Sequence, residues 1–332
     1  MATIKDVAKV AGVSVSAVSK YLNTPENMRE ESRQRISKAI EDLEYKPSSI
    51  ARGLRTGKSG IIAIMLPEIE NPYFNTIFDH IHQACQSKNL IPVLFRSNPP
   101  DKIEEDIKLL KSGMITGAIY YDDFDITKLL YESGITIPFV CWSANFRNSK
   151  EHTVYIDLEK GFTELCAYYE SIGVKNIAYI GLNNNFSSFS KYHAITEFCA
   201  DERHNLTLDK KAVFTNCYDY KGGLEACALM LKTLNPLPEA IICESDMVAM
   251  GVLKELVHNG INVPEDILVS GCDNTMLSTM SNPSITTIHM PSKEMSMAAL
   301  DMLCSLMERN GVESKVFTTS LVLRTSTTVQ SS

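Results

Sequence analysis

The sequence offers no paired cysteines. Its nine (85, 141, 166, 199, 217, 227, 243, 272 and 304) are odd in number, scattered, and never spaced as C-x-x-C. That excludes a zinc knuckle or a disulfide framework and predicts buried free thiols in a reducing cytosol. The amino terminus lacks an apolar leader and no apolar run approaches membrane-spanning length, so a cytoplasmic protein without membrane contact is expected. None of G-x-x-x-x-G-K-[ST], H-E-x-x-H or G-x-S-x-G occurs, which removes phosphate-loop, zinc-protease and nucleophile-elbow chemistry. His80 and His82 stand two apart in a predicted helix, so their rings face different sides and share no metal. Asp122, Asp123 and Asp125 could hold a divalent cation, but read better as a solvated loop and a helix start. Gly222-Gly223 is too isolated for a phosphate loop. No catalytic residue, metal or cofactor is expected.

Charge is short on one side. The net of −8 argues against a nucleic-acid partner until it is divided along the chain. Residues 1–60 hold 11 Lys and Arg against 7 Asp and Glu, leaving 21 against 33 in the remainder. A net of +4 followed by −12 confines nucleic-acid affinity to one end. A chain of 332 residues also exceeds one comfortable core, so a small head and a larger two-lobed body are expected.

What is present is concentrated in ATIKDVAKVAGVSVSAVSKYLN, residues 2–23. Ile4, Val7, Ala8 and Ala11 recur at helical spacing, with Thr3 as N-cap and Asp6 placed to complete a capping box. Gly12 breaks the pattern, and Ser14 can cap a second helix running to about Leu22. Two short helices around a glycine turn are the helix-turn-helix shape, whose second helix enters the major groove. Val18 and Leu22 face inward, leaving Val15, Ser16, Ser19 and Lys20 to point outward at base edges and phosphates. A third helix is predicted over Glu30–Leu43, with Ile36, Ala39, Ile40 and Leu43 inside. The plain alternative is a generic three-helix bundle.

This segment, continued in EESRQRISKAIEDLEYKPSSIARGLRTGKSGIIAIMLP, resembles the amino-terminal signature of the lactose-repressor (LacI/GalR) family of bacterial transcriptional regulators. Weaker similarity extends through NPYF, SDMVAMGVL, GCDN and TTIH. The resemblance implies an α/β protein with a small all-α helix-turn-helix head (1–46). A hinge helix and linker (47–59) then lead to a periplasmic-binding-protein-like core of doubly wound parallel sheets (60–332). It places Thr3, Ser14, Val15, Ser16, Ser19, Lys20, Asn23, Ala51, Leu54 and Arg55 at operator DNA. Ile50–Arg55 is too short to be a stable helix alone. It is either a flexible basic linker or, by the resemblance, a hinge helix that folds on DNA and wedges Leu54 into the minor groove. Arg29 stands where the family often has a small capping residue.

From Gly60 the pattern is strand, helix, strand. Ile61–Leu66, Ile91–Phe95, Ala118–Tyr121 and Pro138–Cys141 form one series of predicted strands. Ile177–Ile180, Ala212–Phe214, Ala240–Cys243 and Ile267–Ser270 form a second. Two such series mean two doubly wound lobes with a ligand crevice at the strands' carboxyl ends. By the resemblance the chain crosses between lobes near Leu158, Met290 and Ser320. The first lobe is then about 60–158 and 290–320, the second about 159–289 and 321–332.

Aromatic and hydroxyl-binding groups cluster at predicted strand ends: Tyr73, Phe74, Trp142, Tyr218 and Asp273, with Asn185, Ser187 and Lys191 in the loop after Ile180. The resemblance implies that these contact a small-molecule effector, a sugar or sugar derivative. Ordinary core packing for the aromatics, and a helix cap for Asp273, are the alternatives. Lys191 stands where the family commonly has Arg, and Cys141 where it often has a carboxylate. Lys191 offers a point charge rather than a fork, so recognition of hydroxyl pairs must differ, and a neutral or mildly acidic sugar compound is expected. The reading is a ligand-responsive repressor that binds a palindromic operator as a homodimer, without the apolar heptads of a tetramer. A small-molecule binding protein or enzyme with an accessory head is the competing class.

Overall fold

The computed structural model describes residues 2–23, 25, 28–45, 59–97, 102–123, 127–144, 152–182 and 185–328. The chain divides into two compact units, residues 1–60 and 61–332.

In the first unit the capping box forms as the sequence dictates. The Thr3 hydroxyl accepts from the Asp6 amide at 3.4 Å, and the Asp6 carboxylate accepts from the Thr3 amide at 2.8 Å. Helix α1 therefore starts at Ile4 and runs to Ala11, where Gly12 ends it with a φ of 64°. A side chain at Gly12 would collide with the guanidinium of Arg35, which donates to the Ala11 and Gly12 carbonyls. Glycine is needed there for backbone and for space. Ser14 caps α2 (Val15–Asn23), accepting from the Ala17 amide at 3.2 Å. Helix α3 (Glu30–Asp42) begins at Arg29, which makes no side-chain cap bond, as its residue type predicts. Val7, Ala8, Ala11, Val18, Ile36 and Ala39 close the core, with Ile40 and Leu43 partly buried against it. The segment Ile50–Arg55, with Ala51, Leu54 and Arg55, lies outside the described residues.

The second unit carries two six-stranded sheets. The strands in chain order are β1 (Ile61–Leu66), β2 (Ile91–Arg96), β3 (Gly117–Asp122), β4 (Phe139–Ser143), β5 (Thr153–Asp157) and β6 (Asn176–Ile180). There follow β7 (Thr207–Phe214), β8 (Ala240–Cys243), β9 (Leu268–Asp273), β10 (Thr286–His289), β11 (Lys315–Thr318) and β12 (Ser320–Val322). The sheet orders are β11-β5-β4-β3-β1-β2 and β12-β10-β9-β8-β6-β7. The first sheet is parallel throughout, and the second only reverses at β10–β12. Their near-continuous apolar runs follow from burial on both faces. Both sheets reverse strand order in the same way, between β1 and β3 and between β6 and β8, so each has a switch point at which a crevice opens.

The chain leaves the first sheet after Asp157, returns after His289, and crosses once more between Thr318 and Ser320. The helix Ser292–Met307 packs on β3, β4, β5 and the helix Pro72–Gln86 of the first sheet. Gly222-Gly223 belongs to a close helix contact: added side chains at Gly223 and Gly251 would run into the carbonyls of Val248 and Tyr220. The motif SDMVAMG is structural too. Ser245 caps the helix Asp246–His258, and the buried Asp246 carboxylate accepts from the Thr275 amide at 2.7 Å and the Thr287 hydroxyl at 2.6 Å. Burial pushes Asp246 up to about 6. No helix among the described residues is long and apolar enough to cross a membrane.

Candidate functional site

A cavity of about 350 Å³ opens where the carboxyl ends of the two sheets face each other. Its first wall is aromatic and comes from the segment after β1. Asn71 caps the helix Pro72–Gln86 by accepting from the Tyr73 amide at 3.0 Å, which turns Tyr73 and Phe74 toward the cleft. Phe74 meets Tyr121 edge-to-face, with ring centroids 5.1 Å apart and planes at 88°. Apolar faces of this kind suit stacking on a ring.

The second wall is polar. Asn185 caps the helix Phe186–Ala200, accepting from the Ser188 amide at 2.8 Å. Ser187 and Lys191 therefore lie on a helix and not in the expected loop, because the cap starts that helix five residues before Lys191. Lys191 is buried, donates to the Glu244 carbonyl at 3.1 Å, and has the Glu244 carboxylate 3.7 Å from its Nζ. Glu244 in turn accepts from the Ser188 hydroxyl and the Leu182 amide. Burial works to lower the lysine, yet Cys272, Glu244, Asp273 and Asp123 around it hold it above its ordinary value. Its charge is answered within the protein, and it lies buried in the cleft wall rather than near the mouth.

Asp273 ends β9 in a left-handed conformation, φ 102°, and among the described residues its carboxylate accepts only a long 3.5 Å bond, from Asn71 across the cleft. It does not cap the following helix, whose N-cap Thr275 makes no side-chain cap bond. Burial pushes Asp273 up to about 8, against the pull of Lys191. Asp123, read from sequence as part of a solvated loop, instead lines the cavity, and Asp122 beside it is buried. Asp123 accepts from the Ser187 amide at 2.9 Å and hydroxyl at 2.6 Å, and burial pushes it up to about 6. This contact joins the two halves of the core. Asp125 lies outside the described residues.

Tyr73, Phe74, Asn185, Ser187, Lys191, Tyr218 and Asp273 thus come together, Tyr218 as an exposed side chain at the rim. Trp142 does not. It belongs inside β4 rather than after it, and is 1% exposed within the core cluster that also holds Phe74 and Met290. Its neighbour Cys141 points to the other face of the sheet, into a second apolar cluster, because side chains alternate along a strand. Glu244 and Asp123 were missed because nothing in their local sequence marks a carboxylate as facing a cleft. The turn chemistry of Asn185 was the available signal for the helix start.

In the head, Ser16 and Lys20 are exposed and Ser19 is half-buried. Val15, expected to point freely outward, leans on the head's core. Thr3 and Ser14 are exposed, but their hydroxyls are already engaged, Thr3 with Asp6 at 2.7 Å and Ser14 with Ser16 at 2.8 Å. The side chain of Asn23 lies outside the described residues.

Comparison with known proteins separates the same two parts. Residues 3–48 match the lacI family of bacterial regulatory proteins, and residues 167–327 match a periplasmic binding protein-like domain. The chain is similar to the HTH-type transcriptional regulator RegA of Clostridium saccharobutylicum, 29% identical over 94% of this chain and 95% of that protein. It is also similar to the HTH-type transcriptional repressor PurR of Histophilus somni (strain 129Pt), 27% identical over 95% of each. The fold matches the crystal structure of the lac repressor dimer bound to operator and the anti-inducer ONPF, with a TM-score of 0.86, 19% identity and 99% of both chains covered. The chain is a member of the LacI family of bacterial regulatory proteins, a ligand-responsive DNA-binding transcriptional regulator.

Proposed function

We propose that the protein is a cytoplasmic repressor that binds a palindromic operator as a homodimer and is switched by a sugar or sugar derivative in the cleft. The observation that carries this reading is the pairing of an aromatic wall with a hydroxyl-binding wall, each from a different sheet. Stacking needs the first and ring hydroxyls need the second. A ligand touching both walls favours the closed arrangement over the open one, and only such a difference moves an equilibrium. Closure alters how the two cores of a dimer hold the Ile50–Arg55 segments, and so couples ligand to DNA. In the head, Val15, Ser16 and Lys20 read the half-site, supported at the DNA by Thr3, Ser14, Ser19, Asn23, Ala51 and Arg55, with Leu54 as the wedge.

The test is selection of duplexes from a random pool by the full-length protein, followed by anisotropy of the winners with Val15 and Ser16 exchanged. A two-fold symmetric site whose preferred bases change with the exchange supports the reading. A single asymmetric half-site held by a monomer contradicts it.

A further inference from the structure

The cleft is lined by more carboxyl groups than its single buried cation can pair with. Among the described residues its charged lining consists of Glu68, Arg96, Asp123, Lys191, Glu244 and Asp273. Arg96 is exposed at the rim, donates to the Pro67 carbonyl at 3.3 Å, and faces Glu68. Lys191 is held by Glu244 through both its carbonyl and its carboxylate. Glu244 is itself fixed by the Leu182 amide and the Ser188 hydroxyl, so it does not swing away to release the lysine. That leaves Asp123 and Asp273 on opposite walls. The first is satisfied by Ser187, and the second has one long bond and spare acceptor capacity.

We propose that Glu244 neutralises Lys191 and sets the charge specificity of the cleft, so that the effector is a polyhydroxylated ligand without negative charge, and phosphorylated or carboxylated sugars are rejected. This rests on the reading of the cleft as the effector site. A buried lysine beside a sugar pocket invites an acidic ligand, but an ammonium already paired in a poorly solvated site has little attraction left for a second anion. The incoming anion would also lose its hydration and meet the Asp123 and Glu244 carboxylates at close range, where like charges cost most. Hydroxyls or an amine on the ligand instead supply the donors that Asp273 lacks. Selection here comes from repelling the wrong ligand as much as from holding the right one.

The experiment measures melting temperature and calorimetric affinity of the full-length protein with hexoses, hexosamines, hexuronates and hexose phosphates, and with inorganic phosphate at constant ionic strength. Neutral or amine-bearing members should stabilise the wild type and their anionic counterparts should not. Glu244→Gln keeps an acceptor for Leu182 but frees Lys191, and should raise affinity for the anionic members and for phosphate roughly tenfold or more. Should that variant fail to fold, Asp123→Asn is the second test, with the same direction of change. An anionic sugar that binds the wild type as tightly as its neutral counterpart overturns the inference. Folded variants that bind phosphate no better than the wild type overturn it too. If no sugar shifts the wild type, the sugar reading fails separately, and the phosphate comparison still decides the role of Glu244.

Discussion

In the head, the side chains offered to DNA, Ser16 and Lys20, are exposed, and the fold beneath them rests on six buried residues from three helices. In the cleft, Lys191, Glu244 and Asp273 are each under 10% exposed, and Lys191 and Glu244 hold each other in place. The head therefore separates binding from folding, while in the core the binding groups are themselves buried and their desolvation is part of the folding cost. Surface residues of the head should change affinity at little cost to stability. Polar residues of the cleft should change both at once.

The largest expected effect breaks the head from within. Ile36 is fully buried there, and Ile36→Ala should cost roughly 2–5 kcal/mol of head stability. Calorimetry should show the head melting earlier while the core transition stays put. Next is Asp273→Ala, which removes the acceptor with spare capacity. Ligand at a hundredfold excess over its dissociation constant stabilises the core by about 2.7 kcal/mol. The variant should lose that shift, and a retained shift would show that the ligand sits elsewhere. Thr3→Ala takes one side of the capping box and should cost about 1 kcal/mol, read by helicity of the head. The core should also show a dependence on pH. Asp123 and Asp273 are raised to about 6 and about 8, above their ordinary 3.8. The folded core thus binds more protons than the unfolded chain between those limits, so its stability should fall as pH rises from 4 to 8. Asp273→Asn should flatten the upper part of that slope in a series of melting curves, leaving the head unchanged.

The same contrast explains what could be read from sequence. The head was legible nearly residue by residue, because its structure is set by local chemistry: a capping box at Thr3 and Asp6, a left-handed glycine, and helical spacing. Val15 was misread because it packs against the core of the whole head, which periodicity within α2 does not contain. In the core, eight strands announced themselves as apolar runs, while Thr153–Asp157, Thr286–His289, Lys315–Thr318 and Ser320–Val322 did not, being short and set by pairing with their neighbours. Seven of the eight expected cleft residues meet at one cavity, since each lies at or after the carboxyl end of a strand. Trp142 failed because an assigned end two residues early turned an inward core position into a loop. Glu244 and Asp123 became visible only once separate strand ends were brought together, a tertiary fact that no local pattern carries.

The central claim is that occupancy of the cleft controls DNA binding by the head, and it is tested most directly by one titration. A labelled operator, obtained by selection, is held near half saturation with full-length wild type or Asp273→Ala, and the neutral sugar that raises the melting temperature of the wild type is added. The account predicts a shift in operator affinity for the wild type, none for Asp273→Ala, and equal affinity of the two proteins before sugar is added. An equal response from both proteins, or none from a wild type that binds the sugar, would contradict it.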